Sequence, residues 1–165
     1  METVILLLGV ALFVAAAYGD VKTHRIPNWL VAAVAVVGIA RLIAIGDLSF
    51  ALHTVSASLL VLIATFLLFW RGLVGGGDAK LLPATALLVG YHDLFNFLVL
   101  MSLCGALVSI AILATRRGAL FSLVIHFIHG PSEQPQEKLQ LVVPYGTAIA
   151  AGAIVTLLFQ SSILG

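Results

Sequence analysis

From Phe50 to Trp70 the chain runs for 21 residues without one acidic, lysine or arginine side chain. A helix of that length rises about 30 Å, the thickness of a bilayer's hydrocarbon core. Runs of this kind recur, and they place membrane segments at residues 3–19, 27–45, 50–70, 79–91, 94–114 and 142–163. The fourth is short and carries Pro83, while Pro27 suits the first turn of the second, where its missing N–H costs nothing. Residues 119–129 form an apolar stretch too short to cross and read as an interfacial or re-entrant helix. The runs are continuous and lack period-two alternation, which argues against a barrel.

The expected fold is therefore all-α: a polytopic integral membrane protein of about six transmembrane helices plus that short helix, in one membrane-embedded domain, 1–165. Only 9% of the residues are charged, against about 25% in soluble domains. A lone cysteine, Cys104, permits no internal disulfide and no sulfur-built metal centre. The bilayer is the expected partner; no basic tract points to nucleic acid, and neither metal nor cofactor is expected. The first segment lacks the basic n-region of a signal peptide, so it reads as a retained helix.

Six crossings alternate sides, and the basic residues choose the orientation. With the N-terminus outside, Lys22, Arg25, Arg71, Lys80, Arg116, Arg117 and Lys138 face the cytoplasm, and only Arg41 falls near the outer face. Among the acids, Glu2, Asp47, Asp93, Glu133 and Glu137 fall in outer turns, the terminus or the hydrophilic linker after residue 129, and read as solvated; Asp93 also suits a helix N-cap. Asp20 and Asp78 remain. Two segments lie between them, so the chain crosses and returns, and both carboxylates reach the same side at similar depth.

Asp78, in "GGGDAKLL" at 75–82, has an ordinary alternative as an N-cap after a glycine loop. Asp20 is harder to explain away, because a carboxylate near a helix C-terminus opposes the macrodipole, and ionisable groups at membrane depth default to function. Two close carboxylates share one proton. The ionised member takes a proton from water while the protonated member polarises a carbonyl oxygen, which is hydrolytic chemistry. Gly75, Gly76 and Gly77 are then expected to let the backbone approach closely and to free the loop that places Asp78.

At "GDVKTHRIPN" (19–28), "GGGDAKLL" (75–82) and "VPYGTAIAAG" (143–152) the chain resembles the type IV prepilin peptidases, membrane aspartic proteases of GxGD type. Its compact size resembles the short enzymes of Flp-type, tight-adherence pilus systems. The resemblance implies catalytic roles for Asp20 and Asp78. It also implies a bacterial inner-membrane location and cleavage of short basic leaders from prepilins at the cytoplasmic face. Larger members carry paired C-x-x-C motifs and methylate the new N-terminus; with one cysteine here, methyltransferase activity is not expected.

Lys22, Arg25 and Lys80 are candidate substrate or dyad contacts, with snorkelling lipid anchors as the alternative. Tyr145, with Gly146, is a candidate wall of the cleft or an ordinary helix start. Two rival functions differ in what they require. A small proton-coupled transporter needs ionisable groups reachable from both faces. A non-catalytic component of a pilus or secretion machine keeps leader cleavage when either aspartate is neutralised. The precursor cleaved and the oligomeric state are not encoded in these motifs.

Overall fold

The computed structural model describes residues 2–23, 26–115 and 145–163. They form six helices: α1 (Glu2–Thr23), α2 (Asn28–Ile45), α3 (Leu48–Trp70), α4 (Gly76–Val89), α5 (Leu94–Thr115) and α6 (Tyr145–Ile163), with no strand among the described residues. Three are long and apolar enough to cross a membrane: α2, α3 and α5 over Leu94–Ala111. The stretch 119–129 and the linker after it lie outside the described residues.

Two boundaries differ from the sequence expectation. α1 continues beyond residue 19 to Thr23, so Asp20 sits inside its last turns. α4 begins at Gly76, with Gly75 as its N-cap residue, so Gly76 and Gly77 belong to the first helical turn and Asp78 is not the cap. The expected free loop therefore shortens to the residues before Gly76.

α4 is the centre of the bundle, packing against α2, α3, α5 and α6, while α1 packs on α6 and α2. It is only 14 residues long, and Ala79, Leu81–Ala86, Leu88 and Val89 are all buried. A helix that is apolar on every side belongs in a core. Around it Phe13, Leu30, Val34, Phe97 and Leu157 are almost wholly enclosed. Small residues bring the backbones together, as membrane helices require: a methyl group on Gly38 of α2 would lie 3.0 Å from the Leu88 amide nitrogen, and one on Gly152 of α6 would lie 2.8 Å from that of Met101.

α3 is built differently. Its buried residues are Thr54 and Thr65, and Leu60, Phe66 and Trp70 are exposed, as expected of a helix with one face on the bundle and the rest toward lipid. Its buried hydroxyls meet the irregularity in α4. Pro83 has no N–H to give the Ala79 carbonyl, and Thr65 Oγ1, 2.8 Å from the Val61 carbonyl of its own helix, also lies 3.1 Å from that oxygen. Ser58 Oγ donates to the Pro83 carbonyl at 2.8 Å. Hydroxyls on a neighbouring helix thus line the proline-containing stretch inside the core.

Candidate active site

Asp20 and Asp78 reach the same end of the bundle from different helices, α1 and α4. Asp20 is 6% exposed. Near the C-terminus of its own helix it opposes the local dipole, but the start of α6 supplies the compensation. The Thr147 amide donates to Asp20 Oδ2 at 3.0 Å, taking one of the N–H groups that a helix start leaves unpaired. Asp20 thus does for α6, from 127 residues away, what an N-cap side chain does locally.

Asp78 lies ahead of the apolar segment that begins at Ala79, half-buried in the first turn of α4. Its pKa is pushed up to about 6, first by burial and then by the negative charge of Asp20. Such repulsion requires the two carboxylates to be near neighbours. Among the described residues no hydrogen bond or ion pair engages the Asp78 carboxylate.

Each glycine before Asp78 faces something different. A methyl group on Gly75 would lie 3.0 Å from Asp78 Oδ2, one on Gly76 would lie 3.1 Å from the Phe69 ring, and one on Gly77 would lie 3.2 Å from Ile26 Cβ. None of the three has positive φ. Close approach on three sides, rather than conformational freedom, explains the triplet.

The remaining candidates divide. Lys80 is exposed, and its Nζ donates to Asn28 Oδ1 at 3.3 Å, tying α4 to the start of α2. Lys22 is exposed, with Nζ 5.8 Å from the centroid of the Tyr18 ring, a cation–π contact one turn back on α1. Arg25 lies outside the described residues, and Tyr145 opens α6 with its side chain outside them. Among the described residues no three His, Cys, Asp or Glu side chains are grouped to hold a metal ion.

Several polar contributors were not expected. Arg41, placed near an outer face by the sequence, is 7% exposed and donates through Nη1 to the carbonyls of Leu88 and Val89, the latter at 2.9 Å. Gln160 Nε2 donates to the same Val89 oxygen at 2.9 Å and to Asp93 Oδ2 at 2.6 Å. Asp93, expected to be solvated, is thereby tied to α6. These groups close the end of α4 opposite Asp78, where unpaired carbonyls and a negative dipole favour a cation. A charged residue inside an apolar run was the available signal for Arg41; nothing local marks Gln160 or Thr147.

The model of the type IV leader peptidase family matches residues 6–110. That range covers both aspartates and ends before α6. No curated protein and no solved structure matches the chain.

Proposed function

Because the chain belongs to the type IV leader peptidase family, we propose that it is a membrane aspartic endopeptidase whose dyad is Asp20 and Asp78. One observation carries this: two acids 58 positions apart meet at one end of the bundle, near enough for one charge to perturb the other. A structural acid of a helix terminus does not need a second carboxylate beside it.

In this reading Asp78 holds the shared proton, since burial and its neighbour both favour its neutral form. Asp20 is then the base. Water attacks the scissile carbonyl carbon as Asp20 takes its proton, and the Asp78 hydroxyl hydrogen-bonds to the carbonyl oxygen that becomes negative. Collapse of the tetrahedral diol breaks the C–N bond. The proton on Asp20 passes to the leaving amine, and Asp78 keeps or regains its own. The Thr147 amide holds Asp20 Oδ2 in place.

The substrate is a prepilin of the Flp type, and the cut separates its short basic leader from the hydrophobic segment. Six membrane crossings, with the N-terminus outside, put the dyad at the cytoplasmic face of a bacterial inner membrane, where seven of the eight lysines and arginines gather. Peptidase action without N-methylation matches the lack of paired cysteines.

The test is cleavage of a purified prepilin by the purified protein in detergent or liposomes. Wild type releases the leader, while Asp20→Asn and Asp78→Asn each leave the precursor intact although both insert. Cleavage retained by either variant removes that residue from the dyad.

A further inference from the structure

Ile26 belongs to neither helix that carries an aspartate, yet it touches the glycines beside both. A methyl group on Gly77 of α4 would meet Ile26 Cβ at 3.2 Å and Cγ1 at 3.5 Å. One on Gly146 of α6 would meet Ile26 Cδ1 at 3.0 Å, and Asp20 Cγ and Oδ2 at 2.8 Å each. The side chain therefore lies lengthwise between α4 and α6, its root against the turn that carries Asp78 and its tip beside the Asp20 carboxylate. Real side chains cannot occupy either glycine position without moving Ile26 or Asp20.

Ile26 is well suited to hold a distance. A β-branched side chain has little freedom at χ1. The backbone is also restricted, because Pro27 follows and disfavours helical conformations at residue 26. Pro27 itself has φ −68° and ψ 139°, and its carbonyl accepts the Leu30 amide at 3.0 Å, so the strut is mounted on the first turn of α2. Among the described residues the basic groups nearest in the chain to the two aspartates, Lys22 and Lys80, are exposed and engaged with Tyr18 and Asn28.

We infer that Ile26 is a positioning residue: braced between Gly77 and Gly146, it sets the separation of the Asp78 carboxylate from that of Asp20. The inference rests on the peptidase reading for its consequence, but its geometry can be tested without cleavage. Two carboxylates that share a proton and a water tolerate little error, since misplacement by about 1 Å costs on the order of 100-fold in rate.

The test uses Ile26→Val, which removes Cδ1 and keeps the branched root, and Gly146→Ala, which adds a methyl against Asp20. Infrared titration of the protonated carboxyl in the purified full-length protein follows Asp78, and Asp78→Asn identifies its band. Shortening the strut lets the carboxylates approach, so Ile26→Val loses the Asp78 proton at higher pH than wild type. Gly146→Ala pushes Asp20 away and loses it at lower pH. In the cleavage assay Ile26→Val lowers kcat about tenfold with KM within about twofold, as expected of misplacement rather than lost substrate contact. Titrations unchanged from wild type, shifts of the same sign, or a loss confined to KM would overturn the inference. If wild-type protein leaves prepilin intact, the peptidase reading falls while the paired titrations still judge the spacing.

Discussion

At its Gly76 end α4 meets two carboxylates, three closely packed glycines and the start of α6. At its Val89 end it meets a guanidinium, an amide and two backbone carbonyls. Both ends sit where a short core helix exposes unpaired backbone groups, and α6 reaches both, through Thr147 at one and Gln160 at the other. The difference lies in the charges that meet at each end. Around Val89 the carbonyls of Leu88 and Val89 are engaged by Arg41 and Gln160, and the helix dipole faces a cation. Around Asp78 the charges are alike, and the Asp78 carboxylate has no hydrogen-bond partner among the described residues. One end is an anchor. The other keeps two acids side by side, which costs stability.

That contrast can be broken from either side. The largest effect is expected from Asp20→Asn or Asp78→Asn, each lowering prepilin cleavage by at least about 10³-fold, roughly 4 kcal/mol of transition-state stabilisation. The folded protein persists, as gel filtration in detergent would show. Arg41→Met should do the reverse. It strips the Leu88 carbonyl of its guanidinium donor and leaves Val89 with Gln160 alone, destabilising the protein by about 2 kcal/mol in denaturant titration, while the fraction that remains folded cleaves at a near-normal rate.

A smaller effect is the pH dependence. Asp78 is neutral below about 6 and ionises above it. As pH rises through that value the dyad loses its shared proton and kcat/KM falls about tenfold per pH unit. A kcat/KM profile that is flat across this range would assign the proton elsewhere. Bound substrate excludes water and further disfavours charge, so the corresponding limb in kcat lies higher. The smallest effect is that of Thr65→Val, which removes a hydroxyl lying between the Val61 and Ala79 carbonyls beside Pro83 and lowers stability by about 1 kcal/mol. Since Ala79 adjoins Asp78, a change in kcat beyond that loss would show that this contact with the proline turn also reaches the site.

Much of this arrangement was legible before any coordinates. The same-end placement of Asp20 and Asp78 followed from counting two apolar segments between them, and Ile26 lies against both Gly77, next to Asp78, and Gly146, which packs on Asp20. The glycine triplet was read both for close approach and for a free loop, because composition does not distinguish a backbone that must bend from one that must be approached. That required knowing that Phe69 and Ile26 lie against it. Arg41 was placed near the outer face without its partners, because a hydropathy pattern records a charge but not its acceptors, here the last carbonyls of α4. Asp93 and Thr147 find their partners 67 and 127 residues away, beyond any local signal.

The last helix carries a consequence for the order of synthesis. Both aspartates are made well before Tyr145 leaves the ribosome, so the Asp20 carboxylate waits through most of translation without the amide that will hold it. The seating of Asp20 is thereby tied to a late step: a nascent chain already threaded into the bilayer owns both acids but not the amide that holds one of them, and the same helix also fastens the far end of α4.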